Sequence, residues 1–250
     1  MHPEAHNYFY VKPEDIRRDY FILKDEEFHH AVHVLRLEVG DMVTAVDGMG
    51  TEFHGEIRDP ETSGRTREVR CAIVKTLRKP NEPILDVTLM QSLLKGDRFE
   101  YLVEKAVETG VNKIIPVHTE RSVVPAETQK IHRYRRIAMA AMKQSCRSVL
   151  PEITEVMRFQ DALKSLPRSS VKILLQKQGS LPISRCIDDL RAEKIKKTVI
   201  VAVGPEGDFT REEINLALEE SFLRVSLGPR RLRSETAGLA AVAALLAFDV

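Results

Sequence analysis

The stretch Leu77-Arg78-Lys79-Pro80-Asn81-Glu82-Pro83 separates two kinds of sequence pattern, and no single regular architecture accommodates both. Proline donates no ladder hydrogen bond and restrains the residue before it, so two prolines around an asparagine read as a linker. Upstream, residues 42–57 hold two apolar runs around Asp47-Gly48, a dipeptide with hairpin-turn chemistry. In the second run Phe53, Gly55 and Ile57 face one way and Glu52, His54 and Glu56 the other. Residues 68–77 add a further strand, and only residues 25–36 have a helical pattern. Residues 1–78 are therefore expected to form a small β-barrel with one helix.

Downstream the pattern alternates. A buried-type strand at 84–91 precedes a helix at 97–110, which carries Phe99, Leu102, Val103, Ala106 and Val107 on one stripe and Gly110 as its stop. Short runs rich in Val, Ile and Leu recur at 112–117, 172–176, 198–203 and 223–227. Such runs between helices imply a mostly parallel sheet covered on both faces, so residues 79–250 are expected to be an α/β domain. The run Ala237–Phe248 has no polar side chain. It is too short to span a bilayer, for which about 20 residues are needed. A helix apolar all round must be buried, either inside its own domain or against a second subunit.

Charge follows the same division. Of 38 Lys+Arg and 37 Asp+Glu, residues 1–78 hold 11 and 15, leaving 27 and 22 (38 − 11 and 37 − 15) for residues 79–250. The second segment is the better partner for an anion. Three cysteines without a CxxC pair give neither a disulfide framework nor a structural zinc site, and no metal is expected. The opening residues lack the basic start and apolar run of a secretory signal, so a cytoplasmic location is expected.

Three loops at strand ends in the second segment are positioned as ligand loops of an open α/β sheet: 174–180, 204–209 and 227–238. Neither GxxxxGK[ST] nor GxGxxG occurs there. In the second loop Glu206 and Asp208 place negative charge where a phosphate would lie. Glycines permitting close backbone approach beside acidic groups suit a flat ligand with positive charge, a description that S-adenosyl-L-methionine fits. Thr210 and Glu213 form a capping box that starts the next helix. An ordinary strand-to-helix turn would show the same cap. The third loop crowds Arg230, Arg231 and Arg233 before Ser234-Glu235-Thr236; three close arginines repel unless solvent or an anion faces them. Ser234-Glu235-Thr236 also has helix-capping chemistry. Residues 130–147 contain no acid, and at helical spacing Arg133, Arg136, Ala140, Lys143 and Arg147 share one face opposite Ile131, Tyr134, Ala138 and Met142. That face suits phosphates of a nucleic acid, or is a solvated helix surface.

Taken in order, residues 29–41, 47–50, 93–117, 119–122, 143–151, 204–209 and 227–237 resemble the small-subunit ribosomal RNA methyltransferase E family. The resemblance implies a PUA-like β-barrel for RNA contact (1–78) and a SPOUT methyltransferase domain with a trefoil knot (79–250). It implies methylation of uridine N3 in 16S ribosomal RNA, presented as RNA or within the small ribosomal subunit, by a homodimer formed through the C-terminal helix. Carried over by position, Leu175, Gly204, Pro205, Glu206, Gly207, Leu227, Gly228, Leu232, Ser234, Thr236 and Ala237 are expected to hold S-adenosyl-L-methionine. Glu235, or else Glu206, is the candidate base, with Arg233 and Arg121 or Arg230 facing the uracil oxygens. Arg133, Arg136, Lys143, Arg147 and Arg230 are the candidate RNA contacts. The sequence departs from the family pattern at Asp208 (usually Gly), Lys143 (usually an acid), Arg231 (usually Ile) and Ser234 (usually Thr). A retired, non-catalytic RNA-binding protein on the same fold, or an enzyme acting on transfer RNA or a ribose hydroxyl, would share these features.

Overall fold

The computed structural model describes residues 8–61, 67–125, 130–177, 181–192 and 198–247. The chain divides into two compact units, 1–82 with 139–150, and 83–138 with 151–250.

In the first unit, β1 (Tyr8–Tyr10), β2 (Tyr20–Lys24), β3 (Met42–Val46), β4 (Thr51–Glu61) and β5 (Glu68–Arg78) form a curled five-stranded sheet in the order β1-β3-β4-β5-β2. All its pairings are antiparallel except β1 with β3. The turn predicted at Asp47-Gly48 joins β3 to β4: Gly48 has φ 70, and the Asp47 carboxylate accepts from the Met49 and Thr51 amides at 2.7 and 2.9 Å. Phe9, Phe21, Leu23, Val43, Ile57 and Cys71 fill the core. Burial there pushes the Cys71 thiol up to about 12. The alternation read for β4 holds for Phe53, Gly55 and Ile57, but Glu52 is also buried, accepting from the Tyr8 hydroxyl at 2.7 Å and bonded to His54 Nε2 at 2.8 Å. The predicted helix is α1 (Asp25–His29), continued by a π-type turn over His30–Val34. A 3-10 turn at Pro13–Asp15 was not anticipated.

The second unit is a parallel sheet. Its strands are β6 (Asp86–Ser92), β7 (Lys113–His118), β8 (Glu152–Ile153), β9 (Met157–Arg158), β10 (Val171–Leu175), β11 (Leu181–Pro182), β12 (Thr198–Val203) and β13 (Leu223–Ser226). They run β11-β13-β10-β12-β6-β7-β8, with β9 also on β7, and every pair is parallel. Interleaved are α2 (Arg98–Thr109), α3 (Ile131–Gln144), α4 (Phe159–Ser165), α5 (Ile183–Ala192), α6 (Arg211–Glu219) and α7 (Ser234–Leu246); the division between units falls within α3. The predicted stripe of α2 is buried in full, and Gly110, at φ 114, ends the helix by donating to the carbonyls of Ala106 and Val107. The apolar α7 packs on α2, β12 and β6. Only one side is buried: Gly238, Ala241, Val242, Leu245 and Leu246 face inward, while Thr236, Ala243 and Ala247 are exposed. Phe248, the last residue of the predicted apolar run, lies outside the described residues. Among the described residues no helix is long and apolar enough to cross a membrane.

Residues 139–150 return to the first unit at its edge. Arg147 donates to Glu82 Oε2 at 2.7 Å, and Glu82 Oε1 accepts from the Ser148 and Val149 amides at 2.8 and 2.9 Å. The two charged side chains are each only 3% exposed.

Candidate functional site

The three ligand loops converge. At the carboxyl ends of β10, β12 and β13 lies a cavity of about 550 Å³, the size range of small-molecule sites. Of the residues expected to hold the cofactor, Leu175, Gly204, Pro205, Glu206, Leu227, Gly228, Leu232, Ser234 and Ala237 line it, with Gln176, Lys177 and Asp208 beside them. Gly207 and Thr236 do not line it. Thr236 stands two residues past Ser234 on α7, about 200° round the helix, and is exposed. Gly207 turns outward, its carbonyl accepting from Arg121 Nη1 at 2.8 Å.

Each wall has a local cause. Gly228 holds φ 105, a region that favours glycine, and so turns the chain from β13 into the arginine loop. Asp208, which stands where the family pattern has glycine, occupies φ 61; its carboxylate accepts from the Phe209 amide at 2.8 Å, a local bond by which Asp tolerates the left-handed conformation. The Glu213 carboxylate completes the capping box on Thr210 and accepts from the Glu120 amide at 2.9 Å, tying residues 119–122 to the start of α6.

Ser234 is the keystone of the inner wall. Its hydroxyl donates to the Gly204 carbonyl and accepts from Gln91 Nε2 at 2.8 Å, so the exchange of Thr for Ser keeps both bonds. It is not the cap of α7, as its position had suggested: Arg233 is the N-cap residue, with no side-chain bond to the helix. Glu235, in the first turn, is 6% exposed, and its Oε2 has no hydrogen-bond partner. Arg98, absent from the sequence-based site, reaches that oxygen at 4.0 Å and Glu206 Oε1 at 2.8 Å. A buried carboxylate oxygen with only a long ion pair is costly unless something else satisfies it.

Charge in the cavity is two-sided. Glu206 and Asp208 are opposed by Lys177, Arg230, Arg231 and Arg233 in the same lining. Arg231 takes the solvent-facing solution open to a charge in an apolar residue's place, and Arg230 and Arg233 are exposed as well. None of the three makes an ion pair among the described residues.

The basic helix face is shorter than expected. Arg133 and Arg136 are exposed on α3, Arg133 pairing with Glu100 at 2.6 Å, and Ile131, Tyr134, Ala138 and Met142 are buried opposite. Lys143 is drawn to Glu27 at 2.6 Å. Arg147 is not on the face at all: α3 ends at Gln144, Cys146 takes φ 55, and the guanidinium is buried against Glu82. As an RNA contact Arg147 is therefore withdrawn, because helical periodicity does not extend past the end of the helix.

The sequence profile of an RNA methyltransferase domain matches residues 80–246, and that of an RNA methyltransferase PUA domain matches residues 23–65. A ribosomal RNA small subunit methyltransferase E of Aquifex aeolicus is 33% identical, over 94% of this chain and 97% of its own. One from a Synechocystis species is 30% identical, over 95% and 76%. The crystal structure of the Neisseria gonorrhoeae methyltransferase E bound to S-adenosyl methionine superposes with a TM-score of 0.82, at 30% identity and 96% coverage of both chains. With a family profile over two thirds of its length and such relatives over nearly all of it, the chain belongs to the ribosomal RNA small subunit methyltransferase E family.

Proposed function

We propose that this protein is an S-adenosyl-L-methionine-dependent methyltransferase that modifies N3 of a uridine in 16S ribosomal RNA. The cavity formed where the loops after β10, β12 and β13 meet carries this reading. Its residues suit the cofactor: close backbone at Gly204 and Gly228, acids for a cationic ligand, and cations for the ligand's carboxylate.

When bound, S-adenosyl-L-methionine supplies an electrophilic methyl group whose departing sulfur leaves neutral. The residues around it align the acceptor and exclude water. Glu235 accepts the N3 proton through the oxygen that lacks a hydrogen-bond partner, and Arg98 sets the charge beside that carboxylate. Arg233 and Arg121 stabilise negative charge spreading onto the uracil oxygens. Arg133, Arg136 and Arg230 meet phosphates, and the PUA-like unit adds RNA contact. The same reading includes threading of the segment after β13 as a trefoil knot, and a homodimer formed by the outer side of α7.

Three measurements test it. Isothermal titration is expected to detect S-adenosyl-L-methionine and not ATP; the absence of heat would point instead to a non-catalytic RNA-binding protein. Glu235→Gln is expected to lower single-turnover methyl transfer by at least about 100-fold with cofactor affinity retained. Mapping the tritiated product onto 16S RNA identifies the nucleotide, and label in transfer RNA or on a ribose removes the substrate assignment.

A further inference from the structure

The first unit holds a second cavity, of about 540 Å³, that methyl transfer does not use. It lies between α1 and the start of β5. The helix does not continue regularly past His29: the Leu35 amide donates to the His30 carbonyl, five residues back, at 2.9 Å. Such π-type turns lose regular helix geometry and are frequent at functional sites. Here the turn gathers three rings. His33 stands edge-on to Phe28 at 5.8 Å between centroids and tilted to His29 at 5.2 Å. Phe28 is buried at 2% exposure and anchors the cluster, while both imidazoles are exposed along the cavity.

The rest of the lining is of mixed charge. Lys24 and Arg67 supply cations, Asp25 and Glu68 carboxylates. Lys24 is already paired with Asp15, which leaves Arg67 as the donor for a phosphate. A bare phosphate would meet two carboxylates and be repelled. A nucleotide presents both halves of the match: a phosphate for the cation, a π-face for the imidazoles and base-edge N–H groups for the carboxylates.

We propose that this cleft receives one unpaired RNA nucleotide whose base carries an exocyclic amino group, stacked on His29 and His33 and read by Glu68 or Asp25. The inference rests on the reading of RNA as substrate. It adds a point of sequence preference in the first unit, for a nucleotide other than the methylated uridine. Uracil has no amino group to offer the carboxylates and is disfavoured.

The test measures binding of the full-length protein to labelled rA8, rC8 and rU8 at fixed salt, with S-adenosyl-L-methionine affinity followed in parallel. Wild type is expected to bind rA8 and rC8 about tenfold more tightly than rU8. His29→Ala with His33→Ala should reduce all three to a common weak level, His33→Phe should keep the stacking, and Glu68→Ala should narrow the gap to rU8. A thermal unfolding profile and near-ultraviolet circular dichroism like those of wild type show that the variants are folded, and unchanged cofactor affinity that the second unit is intact. Equal affinity for the three oligomers, or a double variant that binds like wild type, overturns the proposal. If wild type binds none of them yet binds cofactor and methylates 16S RNA, the cleft is refuted while the catalytic reading stands. If the oligomers are discriminated but cofactor is not bound, the catalytic reading falls alone.

Discussion

Arg98 and Arg147 show how much a single guanidinium's surroundings decide. Arg98 is about one-third exposed and spans Glu206 and Glu235, two carboxylates separated by 29 positions (235 − 206) along the chain. Replacing it with Met leaves both without their cation. The expected result is a fall in kcat of about 10- to 100-fold with cofactor affinity little changed, because misplacement at the reacting centre costs far more than lost ground-state contact. Parallel titration and single-turnover measurements check it; an equal loss of affinity and rate would assign Arg98 to binding alone. Arg147 is the opposite case. Buried with Glu82, it acts in folding, and Arg147→Met is expected to cost about 3 kcal/mol in urea denaturation, since Glu82 is left as an uncompensated buried charge. The salt dependence of RNA binding should not change.

At the scale of elements, α7 meets the sheet through a glycine. A Cβ at Gly238 would lie 2.7 Å from Gln91 Oε1, and Gln91 is the residue whose amide holds Ser234. Gly238→Ala is expected to destabilise the protein by about 1–3 kcal/mol and to weaken cofactor binding, read by thermal unfolding with and without ligand. The elements that could be read beforehand were those with their own periodicity or punctuation: the stripe of α2, the glycine that stops it, the Asp47-Gly48 turn and the capping box of α6. Most of the cavity lining was also legible, because loops at strand ends of a parallel sheet converge by topology. Arg98 was not, since it opens a helix whose pattern speaks only of packing, and its partners come from a distant loop and the first turn of α7. The two-residue strands β8, β9 and β11 are too short to show alternation, and the exposed side of α7 cannot be told from its buried side when both are apolar.

For the whole molecule, that exposed side has a consequence for assembly. Thr236, Ala243 and Ala247 leave a smooth outer surface on α7, with half-buried Leu239 and Ala240 beside them. A dimer formed there should be lost in Ala243→Arg, with sedimentation equilibrium reporting a monomer of about half the wild-type mass; an unchanged mass would place the interface elsewhere. The pair between Glu82 and Arg147 reaches further still. A ribosome delivers the glutamate before the arginine, so the amino-terminal unit stays unfinished while the first part of its neighbour, residues 83–138, is being made. Neither unit can be excised by a single cut, and the first is completed only after residues 83–138 of the second have been made.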